Sequence, residues 1–347
     1  MFSHKKRLFI FIMIILLSNT ACQDKDSIQP DEVDQSNETT NKSDTTKAST
    51  KPTENELPDK TLQKGSQGEE VIALQNILNN IGYSITASGT YDKDTTWAVT
   101  DFQMQQEDLF VTGAYEEKTK RALEEVLADN IDITPGEDIP YTEKEEQTED
   151  HSTITSNPYD MLVLVNKEHA LPADFIPEDL VIPDVPFPFT EDLPKKMMRK
   201  PAAIAMEEMF QAAENEGLEL FAQSGYRSYE RQEALFTSYI ERDGEEAANK
   251  YSAKPGESEH QSGLTMDVTS PAVEFLLNES FGDTEEGKWL EENCSTYGFI
   301  IRYPKGKENI TKYQYEPWHI RYVGKIAAKE IMNNDITLEE YLATLKQ

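Results

Sequence analysis

The chain has 347 residues, room for about two domains, and 65 Asp plus Glu against 33 Lys plus Arg give a formal net charge of −32. So acidic a surface repels phosphate backbones and anionic bilayers, which excludes nucleic-acid binding driven by counterion release. Two cysteines exclude a disulfide-rich scaffold.

At the N-terminus, Lys5, Lys6 and Arg7 precede an apolar run from Leu8 to Leu17, and Ser18-Asn19-Thr20-Ala21-Cys22 is small and polar. That is the layout of a cleaved signal peptide, too short to span a bilayer, which takes roughly 20 residues. Ala21-Cys22 resembles the end of a bacterial lipobox, although Asn19 stands where Leu is usual. The resemblance implies residues 1–22 as a lipoprotein signal and Cys22 as the lipidated N-terminus. Cys294 then has no intramolecular partner and is expected as a buried small residue near a helix end. Residues 23–61 carry almost no large apolar side chain and read as a disordered tether with an end-to-end distance of roughly 35 Å. Residues 128–156, with Pro135, Pro140 and Glu143-Lys144-Glu145-Glu146, read as an acidic linker.

Between these stretches, residues 62–127 contain an internal repeat. Gly89-x-Tyr91-Asp92-x-x-Thr95-x-x-Ala98-Val99 is matched 24 residues later by Gly113-x-Tyr115-Glu116-x-x-Thr119-x-x-Ala122-Leu123. Each copy places an acidic residue and a threonine at a helix start. Val71, Leu74, Leu78 and Ile81 give a third helix one apolar face, ending at Gly82. The pattern predicts a small three-helix bundle. With Leu74-Gln75 and Phe102-Gln103, it resembles a type-1 peptidoglycan-binding domain, which implies attachment to the wall polymer.

Residues 157–347 have the length of one enzyme domain. The pattern predicts helices over 201–216, 229–249 and 287–297, strands over 218–222, 264–268, 299–303 and 318–323, and a final helix. Helices and strands without βαβ alternation predict an α+β fold with a mainly antiparallel sheet and flanking helices. In the 264–268 strand, Leu264, Met266 and Val268 face the core while Thr265 and Asp267 face the other, open side. In the last strand Trp318, Ile320 and Tyr322 alternate with His319 and Arg321. Two imidazoles, His260 and His319, with the Asp267 carboxylate are a sufficient three-ligand set for a catalytic zinc with water in the fourth position. Spacing alone leaves a metal site open. Trp318 reads as packing beside the site, and His169, with no partner at ligand spacing, as a structural loop residue.

Ser258-x-His260-x-x-Gly263-x-x-x-Asp267, Glu316-x-x-His319 and Ser224-Gly225-Tyr226-Arg227-Ser228-x-x-x-Gln232 resemble the VanY-like D-alanyl-D-alanine carboxypeptidases, zinc peptidases of the bacterial wall. One departure is Thr265, where Ala is frequent. The resemblance implies His260, Asp267 and His319 as Zn2+ ligands and Glu316 as general base. It implies Arg227 as the cation facing the substrate carbonyl or carboxylate, and Gln232 and Ser258 as substrate-binding positions. It also implies peptidoglycan stem peptides as substrate, trimmed of a terminal D-alanine, with L,D-carboxypeptidase, endopeptidase and noncatalytic wall binding as alternatives. Penicillin-type serine catalysis has no Ser-x-x-Lys in a suitable context. A monomer is expected on the outer face of the cytoplasmic membrane, lipid-anchored and reaching into the wall.

Overall fold

A computed structural model describes residues 56–142 and 146–345; the signal peptide, Cys22 and nearly all of the tether lie outside them. The first helices are α1 (Glu69–Asn80), α2 (Lys93–Met104) and α3 (Glu117–Asp129). Val71, Leu74, Leu78, Val99, Phe102 and Leu123 close their common core, each almost free of solvent contact. Asp92 caps α2 by accepting from the Thr95 amide, whereas Glu116, its counterpart in the repeat, makes no side-chain cap.

Short pairings follow: β1 (Glu146–Gln147) and β2 (Thr153–Ile154) with β3 (His169–Ala170), and β4 (Leu180–Val181) with β5 (Met198–Arg199). The segment expected as a linker thus carries two strands, and Ile139 within it accepts a 2.8 Å hydrogen bond from Trp97 Nε1.

The larger C-terminal part is built on four antiparallel strands, β6 (Phe221–Ser224), β7 (Thr265–Thr269), β8 (Phe299–Tyr303) and β9 (Glu316–Tyr322), in the order β6-β7-β9-β8. Helix α4 (Lys200–Asn215) covers one face, burying Met206, Met209 and Phe210 in one core with Leu264 and with Met266 and Val268 of β7. The α+β expectation therefore holds, with local differences. The predicted 229–249 helix breaks at Gly244, whose positive φ (83°) separates α5 (Tyr229–Asp243) from α6 (Glu245–Tyr251). The predicted 287–297 helix is α7 (Glu285–Asn293) followed by a 3₁₀ turn. Past a single-turn helix α8 (Glu308–Thr311), the final helix is two, α9 (Lys325–Asn333) and α10 (Leu338–Thr344), the second opened by a Thr337/Glu340 capping box. Strand β6 starts later than predicted and β9 starts earlier, at Glu316.

One expectation about the sheet is corrected. Asp267 does not lie on an open side: it is 5% exposed and Thr265 is 0% exposed. A 3₁₀ turn (Glu259–Ser262) and buried charged side chains cover that face.

Candidate metal centre and active site

The site grows from the register of β7 and β9. Asp267 and His319 are direct partners across that ladder, which sets His319 Nδ1 2.9 Å from Asp267 Oδ1. His260 comes from the 3₁₀ turn just before β7, where Gly263, in the left-handed region (φ 68°), turns the chain into the strand. A side chain on Gly263 would also strike Arg199 and Leu180.

Gly225 has a different task. Its amide donates to Lys195 O and its carbonyl accepts from His260 Nδ1 at 2.7 Å, while a Cβ there would lie 2.3 Å from Met197 O. Only glycine admits the backbone that close. With Nδ1 so occupied, His260 offers Nε2, which lies 3.6 Å from Asp267 Oδ2. One ligand atom from each of His260, Asp267 and His319 falls within 4.8 Å of the others. These three residues could hold a metal ion.

Two irregular strand pairings aim the remaining groups. Between Ile301↔Ile320 and Tyr303↔Glu316, β8 advances two residues while β9 advances four. Pro317, which has no N–H for the ladder, lies in that bulge. In a regular strand Glu316 and His319 would point to opposite faces; here Glu316 Oε2 is 4.0 Å from His319 Nδ1. On the other side, β6 carries the extra residue Gln223 between Ala222↔Val268 and Ser224↔Asp267. Ser224 Oγ lies 3.5 Å from Arg227 Nη2, while Gln232 Oε1 accepts from Arg227 Nη1 at 2.9 Å.

The environment tunes each group. Burial, and then the Arg227 charge, push His260 down to about 3, leaving a neutral imidazole. Burial also opposes charge on His319, but the hydrogen bond to Asp267 and the nearby Glu259 reverse this and raise it to about 9. A cation binding there displaces that proton. Glu316 is pushed up to about 7, first by burial; Asp267 adds to the rise and His319 opposes it. A carboxyl poised near neutrality is a fit proton acceptor.

The candidate residues expected from the sequence divide accordingly. His260, Asp267, His319 and Glu316 are brought together. Among the described residues, no carboxylate oxygen lies within ion-pair distance of Arg227. Gln232 is 1% exposed, and its Nε2 donates to Ser252 Oγ and Ala253 O, so its amide is spent on Arg227 and the loop after α6. Ser258 precedes the 3₁₀ turn without capping it through its side chain. Trp318 packs partly buried against the core. His169 lies in β3 with Nδ1 3.1 Å from Asn166 Oδ1, and Cys294 is buried at the end of α7.

Sequence reasoning missed a buried charge cluster behind His319. Glu259 Oε1 accepts from Arg302 Nε at 2.7 Å and Arg321 Nη1 at 2.8 Å, and Arg302 also grips Glu339 of α10 with both Nη atoms. Burial opposes the Glu259 charge, yet the two guanidinium groups hold its carboxyl well below the usual range. Its Oε2 lies 3.5 Å from His319 Nε2. The available signal was Arg302 itself, a charge inside the otherwise buried run Phe299-Ile300-Ile301-Arg302-Tyr303.

Residues 195–325 match the VanY family, D-alanyl-D-alanine carboxypeptidase, and residues 67–123 match a peptidoglycan binding domain. The Bacillus subtilis (strain 168) protein YodJ, named as a putative carboxypeptidase, is 57% identical over 191 residues, covering 55% of this chain and 70% of YodJ. A D-alanyl-D-alanine carboxypeptidase of Enterococcus faecium is 32% identical over 240 residues, 65% of this chain and 71% of that protein. The solved structure of the LdcB LD-carboxypeptidase is 54% identical with a TM-score of 0.56, spanning 58% of this chain and 93% of that one. The chain belongs to the VanY-type carboxypeptidase family and carries an N-terminal peptidoglycan-binding domain.

Proposed function

We propose that the protein is a zinc carboxypeptidase that removes the C-terminal D-alanine of peptidoglycan stem peptides, acting as a D,D-carboxypeptidase. The observation that carries this reading is the convergence of His260, Asp267 and His319 within 4.8 Å, beside a carboxyl poised at about 7. Two imidazole nitrogens and one carboxylate oxygen suit zinc with a position left open. A zinc ion held there supplies Lewis-acid polarisation of a water and of the scissile carbonyl.

In this reading Glu316 takes the proton from the attacking water and returns it to the leaving amine. The Arg227 guanidinium, held by Gln232 and Ser224, donates to the substrate carbonyl or terminal carboxylate, where negative charge is borne. Gln232 serves substrate binding through Arg227, and Ser258 offers its hydroxyl to the peptide. The bundle 62–127 holds the enzyme on the wall, and Cys22 anchors a monomer to the outer face of the cytoplasmic membrane.

Likeness to the LdcB LD-carboxypeptidase favours a second reading, removal of D-alanine from the tetrapeptide instead. Both readings share the hydrolytic machinery. Glu316→Gln should retain zinc while D-alanine release from stem peptides falls by roughly 10²–10⁴-fold. Zinc content and release rate are measured together; wild-type rates from the variant would sink the base assignment.

A further inference from the structure

Resting on the reading of His319 as a metal ligand, we infer that Thr265 is a positioning residue that decides which His319 nitrogen is free to face the metal. Thr265 is fully buried on β7, on the same face as Asp267. Its Oγ1 lies 2.8 Å from Ile320 O and 2.9 Å from His319 Nε2. A backbone carbonyl can only accept, so the single hydroxyl proton goes to Ile320 O. The contact with His319 is then made by Nε2–H donating to a Thr265 oxygen lone pair.

In the neutral ring this leaves the lone pair on Nδ1, the nitrogen 2.9 Å from Asp267 Oδ1. The opposite tautomer would aim an N–H at Asp267 and close Nδ1 to a cation. It would also require the hydroxyl to desert Ile320 O. Glu259 reinforces the choice, because its Oε2 lies 3.5 Å from the same Nε2 and, among the described residues, has no hydrogen-bond partner. Metal-bound histidines characteristically donate their other N–H to such an oxygen, which fixes tautomer and ring orientation.

The test measures zinc affinity by chelator competition for wild type, Thr265→Val, Thr265→Ser and His319→Ala, with ¹⁵N-histidine NMR of the zinc-loaded proteins. Thr265→Val keeps the shape and removes the hydroxyl; it should bind zinc about 10–100-fold more weakly, while Thr265→Ser should stay within about threefold of wild type. In wild type and Thr265→Ser the His319 proton should sit on Nε2. If Thr265→Val does not fold, the ¹⁵N-histidine spectra of zinc-loaded wild type and Thr265→Ser decide alone. Wild-type affinity in the hydroxyl-free variant, or a His319 proton on Nδ1, overturns the inference even though wild type binds zinc and His319→Ala does not. Absence of zinc from wild type itself overturns the metal reading together with this one.

Discussion

Glu316 is the residue on which chemistry and stability meet. Its carboxyl, ordinarily near 4.5, is raised to about 7, first by burial, so it is a base only above that pH. Below about pH 7, kcat/KM on a stem peptide should fall about tenfold per pH unit, and a profile flat down to pH 5 would count against the assignment. Stability carries the opposite sign. A carboxyl whose folded pKa lies above its unfolded value binds a proton more tightly when folded, so raising the pH from about 4.5 to about 7 costs the native state and further increase costs nothing more. Melting of the metal-free protein should therefore show Glu316→Gln gaining on wild type across that window and holding a constant lead above it. The proximity of Glu316 and His319 could not be read from alternation, which assigns positions 316 and 319 to opposite faces; only the two-residue surplus of β9 opposite β8 brings them together.

At the scale of elements, the strands that position the site were legible because alternation is a local signal. Leu264, Met266 and Val268 read as core and are core, and the Asp267/His319 pairing follows once β7 and β9 are neighbours. What covers the other face was not legible. Glu259 meets Arg302 and Arg321 across sequence separations of 43 and 62, and no local period encodes such a partnership. Glu259→Gln leaves two buried guanidinium groups without their shared carboxylate and should destabilise the fold by about 3–5 kcal/mol, read by urea unfolding. A cost below about 1 kcal/mol would mean that Glu339 alone suffices for Arg302. Gly225 illustrates the same limit. In the sequence it is one letter of a motif, yet its physical reason is the Met197 carbonyl, whose oxygen would lie 2.3 Å from any Cβ at this position. Gly225→Ala must move β6 or the 195–197 segment, and with it the carbonyl that holds His260. Its zinc affinity should drop alongside its stability.

In the whole molecule, bundle and peptidase touch through specific polar groups. Arg199, fully buried at the start of α4, donates to Val111 O beyond the bundle's second helix, to Tyr159 O and to Asp179. Lys64 pairs with Asp160 at 2.7 Å, and Trp97 of α2 packs against both main cores. These contacts predict one calorimetric transition for the folded regions, which Arg199→Met should lower and broaden; two separate transitions in wild type would contradict the coupling. The helix repeat and the strand alternation were legible, but long-range contacts such as Arg199 to Val111 were not, since neither residue signals its partner.

The family, the donor set and the base converge on one claim, metal-dependent release of a terminal D-alanine. The most direct test is mass spectrometry of stem pentapeptide and tetrapeptide incubated with the zinc-loaded protein, with and without chelator. Chelator-sensitive loss of one alanine from the pentapeptide is the predicted result, and loss from the tetrapeptide would instead assign the L,D activity. If neither peptide loses an alanine while zinc is bound, the carboxypeptidase account is contradicted.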